Sequence, residues 1–540
     1  MKYNIVKYGF LFLMACSLPS CLDLDLVPTD RFSDENYWTT KEKAEIFLNR
    51  AYRQMFGSGE FFANDCLSDD VYESKLVTSE MMIVMGQANS ANERFSSEWA
   101  NCYSGIKTCH IFLRNIDRVT DITESDRNRM TAEARFIRAF LYFRLATWFG
   151  DVPFFTSDIT LEESQIISRT PRQEVITFVH QELDAITSLL PVKEGYSVSD
   201  RGRITRGAAI ALNARVYLYD NDYGNVAVWC AKLINTTENG TYALFPNYSG
   251  IFTQPNQFNE EIILEIGFAY PRTWTNLFDL VPMSCGSRSI QASPTQELID
   301  NYIMLDGKGI GDTRSEYNED NPYENRDPRM EATIVRHLSW MVPRGGTTAK
   351  LVYIRPNSTT NPEDRVDICG NDNATHTGYY YRKFYESSLR EDFQSELNLP
   401  LIRYADVLLM YAEAMNETGQ MNEAVWNSTI KALRERAGFR QSGALDYPGG
   451  TGDDLQKIIR SERRSELALE GTRIFDIRRW RIAENVLNGY PHGAKWGDPS
   501  VDNGYIRLNQ RLFNRERDYL WAVPLSQWDI NKNLGQNPNW

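Results

Sequence analysis

Between about residues 41 and 236 the apolar positions of this chain return every three or four residues, the spacing that lines one face of an α-helix. Ala44, Phe47, Leu48, Ala51, Tyr52 and Met55 follow it at the start. Over 131–149 the stripe widens, with Phe136, Phe140 and Phe143 on one line and Leu141, Leu145 and Trp148 on another. That helix is apolar around most of its circumference and belongs at the centre of a body. Gly150 and Pro153 stop it. Further helices are expected at 171–189, closed by Pro191, at 205–219, and at 223–235, where Trp229 and Leu233 lie four apart. Ala208, Ala211 and Ala214 would let a neighbouring helix approach closely, as paired-helix repeats require, although no clean repeat period accompanies them. From about 240 to 400 the texture turns to Gly, Pro, Asn and Tyr with short β-like runs such as 261–266. Helical periodicity returns at 402–418, 421–437 and about 453–470. The pattern predicts an all-α dominated body of helix pairs, bracketing a loop-rich middle with short strands where binding residues usually sit.

Composition narrows the classes. Of 540 residues, 42% are hydrophobic and 24% charged, a folded globular balance that excludes disorder and a polytopic membrane protein. With 58 Lys and Arg against 72 Asp and Glu, the net charge of −14 argues against a nucleic-acid partner. The 12 Trp, 28 Tyr and 26 Phe supply many flat apolar faces with polar edges, suited either to helix packing or to a sugar-binding surface.

The N-terminus reads as an address. Lys2 and Lys7 precede an apolar run, Gly9 to Ala15, too short to span a bilayer. Leu18-Pro19-Ser20-Cys21 then has the form of a bacterial lipobox, which makes 1–20 a lipoprotein signal peptide and Cys21 the acylated residue. Multiple acyl chains such as palmitate hold a protein stably on a membrane where one chain would be marginal. Residues 21–40 read as an acidic, Pro-containing tether, followed by helical regions at 41–240 and 401–540 around the loop-rich 241–400. Cys66, Cys102, Cys109, Cys230, Cys285 and Cys369 form no C-x-x-C pair, so most are expected to be buried free thiols and no zinc site is indicated.

Several stretches resemble one family, the outer-membrane nutrient-binding lipoproteins of Bacteroidetes called SusD or RagB. Leu399 to Ala414 (LPLIRYADVLLMYAEA) is similar to its longest signature and Arg463 to Trp480 (RRSELALEGTRIFDIRRW) to the second. Ala132 to Ala139, Pro294 to Asp300, Asn325 to Arg329 and the terminal Gln536-Asn537-Pro538 match others, in family order from the lipobox to the chain end. The resemblance implies a helical body of about four tetratricopeptide-like pairs on the outer membrane, lipid-anchored and surface-exposed. It also implies a partnership with a SusC-like TonB-dependent transporter, capture of a glycan or, in some relatives, a peptide, and neither catalysis nor a cofactor. Read from the residues alone, the charges of Arg403, Asp406, Glu413 and the 463–479 run are ion pairs, solvated or between helices, that hold register. If partly buried they would fix geometry at some cost in stability.

A search for catalysis finds no G-x-S-x-G, H-E-x-x-H or phosphate-loop pattern; Gly307-Lys308-Gly309 fails the last because Gly follows the lysine. His110, His180, His337, His376 and His492 show no metal-ligand spacing. A carboxylate pair for glycan cleavage stays open as an alternative, since such a pair needs proximity in space alone. For a sugar, whose apolar C–H faces are rimmed by hydroxyls, aromatics in polar loops are the candidates. These are Trp274 beside Arg272 and Asn276, Trp340 with Arg344 in a Gly-rich loop, and Asp69 and Tyr72 in the 61–72 stretch. The alternative for each ring is a plug beneath a loop. Tyr379 to Lys383 matches a family segment and is expected to be scaffold.

Overall fold

A computed structural model describes residues 37–74, 78–390, 392–450 and 452–540. The expected signal peptide, Cys21 and nearly all of the tether lie outside these residues. Among the described residues eight long helices follow the expected stripes: α1 (Lys41–Met55), α2 (Glu93–Asn115), α3 (Glu124–Phe149), α4 (Arg172–Thr187), α5 (Arg206–Tyr219), α6 (Tyr223–Ile234), α7 (Tyr404–Glu417) and α8 (Gly452–Glu466). From α2 to α7 each packs on the next in chain order, α1 packs on α2 and α8 on α7, which makes four successive pairs. Threonines start several of them: the hydroxyls of Thr123 and Thr205 accept from the amides of Asp126 and Ala208, each at 3.1 Å. The helix expected at 421–437 is present but carries one wider turn, Asn427–Lys431, at its middle.

The wide apolar stripe of α3 puts that helix at the centre. Phe136, Leu141, Leu145 and Trp148 are buried, and the Trp148 indole stacks on Trp521 at 3.8 Å between ring centres. All six described cysteines are free, and five are buried.

A second apolar core fills the loop-rich middle, around Phe61, Phe62, Trp274, Tyr379, Tyr380, Tyr381, Phe384 and Phe393. Its strands are short and antiparallel. β1 (Val71–Glu73) pairs with β3 (Ala292–Pro294), β2 (Ile262–Ile266) with β8 (Leu399–Arg403), β4 (Ile334–Val335) with β7 (Tyr380–Tyr381), and β5 (Trp340–Met341) with β6 (Lys350–Leu351). β8 runs directly into α7, so the β2–β8 ladder hangs the loop region on the helical body.

The family-motif charges meet where the two parts join. Glu466, wholly buried at the end of α8, takes Arg403 at 3.0 Å, Arg329 at 2.9 Å and Arg436. Arg403 also reaches Glu470 at 2.7 Å and Glu261, and Lys383 reaches Glu470 at 2.7 Å. Arg463 joins Asp406 (2.5 Å) to Asp476 (2.8 Å). Burial alone would raise the Glu466 carboxyl, but Arg436, Arg403 and Arg329 outweigh it and hold the group at about 2. The pairs expected to be solvated or interhelical are therefore buried, between helices for Arg463 with Asp406 and Asp476, and between strand and loop for Arg403 with Glu261 and Glu470. Asp327 caps the helix Pro328–Thr333, accepting from the Arg329 amide at 2.9 Å, and so has the architectural part its turn suggested.

His110 is the opposite case: 3% exposed on α2, with no hydrogen-bond partner for either ring nitrogen among the described residues. Burial, and then the Arg138 guanidinium, push its pKa from 6.5 down to about 4. The unfolded chain therefore binds a proton that the folded chain refuses, and stability is lost as pH falls through that window. His110→Phe should narrow the difference in melting temperature between about pH 7 and about pH 4.5; an unchanged difference in calorimetric scans would contradict this.

Candidate functional site

The site begins with two short alternating runs, Leu338-Ser339-Trp340-Met341 and Leu351-Val352-Tyr353-Ile354, separated by Gly345-Gly346. In an extended strand successive side chains point to opposite faces. Ser339, Met341, Val352 and Ile354 are accordingly buried, while Leu338 (44% exposed) and Trp340 (60%) face out, with Leu351 and Tyr353 half-buried. β5 and β6 pair with Trp340 opposite Leu351, so the outer face of this hairpin carries two aromatics and two leucines. Leu338 holds a left-handed backbone (φ 64°), a strained state for a residue with a side chain.

The hairpin is fixed from beneath. Arg382, beside β7, donates to the Trp340 carbonyl at 3.2 Å and to Glu331 at 3.0 Å. Arg336 pairs with the other oxygen of Glu331 at 3.2 Å. The Tyr385 hydroxyl donates to the Val342 carbonyl at 3.0 Å, and the Gly345 amide donates to the Ser387 carbonyl at 2.7 Å. His337 Nδ1 accepts from the Ile354 amide at 3.1 Å, and burial, then Arg355 and Arg336, push this imidazole down to about 4. It is neutral at ordinary pH, and its ring meets Tyr353 at 6.3 Å and Trp496 at 5.9 Å, both edge-on. Trp496 is half-buried against Gly378, where φ is 88° and a Cβ would come within 2.8 Å of the indole. Tyr353, His337 and Trp496 thus form an aromatic strip that continues onto the hairpin face Tyr353 shares with Trp340, bordered by Arg336, Arg355 and Glu331. Such a strip offers planar faces to the C–H side of a sugar and charged hydrogen-bonding groups to its hydroxyls.

Of the four expected ligand residues, Trp340 alone stands on this face. Trp274 is 3% exposed; its Nε1 donates to the Leu397 carbonyl at 2.7 Å and its ring packs 5.3 Å from Phe62. It is the plug beneath a loop, so the expectation of ligand contact there is corrected. Asp69 is buried and bound by Arg473 (2.8 Å) and Arg464 (3.0 Å), leaving no carboxylate for a ligand. Tyr72, 5% exposed, lies within β1 opposite Ser293. Asp69 and Tyr72 hold the chain together, as do the buried Tyr379, Tyr380 and Tyr381. Tyr353, His337 and Trp496 were missed. The alternation on both sides of Gly345-Gly346 is the hairpin signal that would have found the first two; nothing in the sequence places Trp496 beside them.

Two family profiles match most of the chain, leaving residues 219–261 between them. One described as "SusD family" matches residues 262–540, and one described as "Starch-binding associating with outer membrane" matches 24–218. The chain belongs to the SusD family. Among relatives, SusD-like protein P2 of Formosa agariphila is 26% identical over 98% of this chain and 99% of its own length. The starch-binding protein SusD of Bacteroides thetaiotaomicron is 26% identical over 40% of this chain and 37% of its own length. Among solved structures, a SusD-like carbohydrate binding protein from Bacteroides fragilis superposes with a TM-score of 0.82 at 26% identity, covering 92% of this chain and 99% of its own. A laminarin binding SusD-like protein shares the fold at a TM-score of 0.69 and 23% identity, covering 93% and 100%. The helix-rich SusD-like fold expected from the motifs is thus borne out.

The two tryptophans should separate in a stability measurement. Trp274→Ala should cost about 3–5 kcal/mol in chemical denaturation, as removal of a buried aromatic does. Trp340→Ala should stay within about 0.5 kcal/mol of the parent. The reverse order would contradict the placement of these rings.

Proposed function

We propose that this SusD-family protein binds an oligosaccharide on the outer face of the 338–353 hairpin, without cleaving it. It then passes the sugar to a SusC-like TonB-dependent transporter while anchored to the outer membrane through Cys21. The observation that carries the binding site is Trp340: a tryptophan 60% exposed on a strand whose alternate residues are buried costs apolar hydration unless a ligand covers it. The carbohydrate class is supported by the family description and by the relatives named for starch, carbohydrate and laminarin binding. A non-catalytic role fits the engagement of the Glu331 carboxylate at the hairpin by Arg336 and Arg382. Attachment by an acylated Cys21 rests on the lipobox form of Leu18-Pro19-Ser20-Cys21; no helix among the described residues is long and apolar enough to cross a membrane.

Calorimetric titration of the purified protein with plant and host polysaccharides should give a saturable heat for at least one of them. Trp340→Ala should weaken that binding by at least about fivefold, the equivalent of about 1 kcal/mol of ring-face contact. A sustained heat with shortened products would replace the reading with an enzyme, and silence across the panel would contradict it.

A further inference from the structure

A second concavity lies away from the hairpin face. It is a cavity of about 790 Å³ on the helical body, where the ends of α3 and α5 and the start of α4 meet the helix Arg473–Arg479 and the last residues of the chain. Its walls are unusually basic for a chain of net charge −14. Arg172 is matched by Asp220 at 2.5 Å, and Arg479 by Glu413 at 2.6 Å. Arg169, Arg478 and Arg481 have no carboxylate within ion-pair distance among the described residues. Arg169 donates to neutral oxygens, Asn537 Oδ1 at 2.6 Å and the Gln536 and Asp151 carbonyls at 3.3 and 3.4 Å. Arg478 donates to the Tyr519 carbonyl, and Arg481 lies over the Tyr519 ring at 4.3 Å. The other carboxylate on the wall, Asp151, accepts from the Arg172 amide at 2.8 Å and caps α4.

Five arginines against Asp151 and Asp220 leave this concave, partly apolar wall net positive: Asp151 and Asp518 act on Arg169 and Arg478 only from beyond ion-pair distance, Arg478 and Arg481 repel one another, and low-dielectric walls focus the remaining field on the space between them. A guanidinium's planar fork matches a carboxylate or sulfate, with two donors for two oxygens. A bare ion would leave most of the space to water, since a volume of this order takes a drug-sized ligand. The wall also offers the amides of Asn221 and Gln173.

We propose that this cavity is a second ligand site, specific for an acidic saccharide whose carboxylate or sulfate group sits among Arg169, Arg478 and Arg481. The saccharide class rests on the function proposed above; the requirement for negative charge rests on the cavity alone. The test titrates trigalacturonate, neutral galactotriose and sodium sulfate into the parent protein, Arg169→Gln, Arg481→Gln and Trp340→Ala, each variant checked for an unchanged melting temperature. Arg481 is the exposed one of the pair, so its variant keeps the test valid if Arg169→Gln fails to fold. Trigalacturonate should bind about tenfold or more tighter than galactotriose, lose about tenfold in either arginine variant, and weaken as salt is raised. It should bind Trp340→Ala like the parent, which separates this site from the hairpin. Equal affinity for acidic and neutral sugar, no binding of trigalacturonate, or binding indifferent to both arginine variants would overturn the proposal. Sulfate binding as tightly as trigalacturonate would overturn the saccharide and leave an inorganic-anion site.

Discussion

Everything else in this molecule depends on a set of arginines and carboxylates buried where the helical pairs meet the loop-rich middle. Glu466 alone accepts from Arg403, Arg329 and Arg436, three residues from separate stretches of the chain. Burying ions is costly, and the cost is recovered only when every charge has its partners at good geometry. Such a network does not tolerate a loop region that docks in several ways. It selects one arrangement of β8, α7 and α8 against β2, the Asp327 turn and Lys383, and it gives a physical reason for motifs so rich in charge to lie in the interior.

The frame continues into the ligand face through adjacent residues. Lys383 puts its ammonium into the network, at 2.7 Å from Glu470, while Arg382 turns the other way to hold the Trp340 carbonyl and Glu331. β7, just before them, pairs with β4, which leads into the hairpin. An exposed indole on a short strand pair would by itself be a weak platform, because ordering it on binding costs entropy. Tied in this way, its backbone is in position before a ligand arrives, and the strain at Leu338 is carried by the contacts around it.

Helix positions were legible because long stripes leave little choice: the segments expected at 171–189, 205–219 and 223–235 are found at 172–187, 206–219 and 223–234. Charge pairing was legible as pairing, but its burial was not, since burial depends on partners such as Asp69 and Arg473 that lie 404 positions apart. The same limit explains the two tryptophans. Trp274 and Trp340 both sit beside an arginine in a polar loop, and only the packing of Phe62 over one of them decides that it is core. Trp496 reaches the strip through Gly378 and His337, contacts that no local pattern encodes.

The most direct test of the central claim, that a rigid ionic frame presents the hairpin as a preformed sugar platform, is backbone amide hydrogen exchange with and without a saturating neutral oligosaccharide. The account predicts slowed exchange in 336–355 and 494–497 on binding, with α7 and α8 already slow and unchanged. Saturation of the ligand with no added protection in the hairpin, or with protection spreading through α7 and α8 instead, would contradict it.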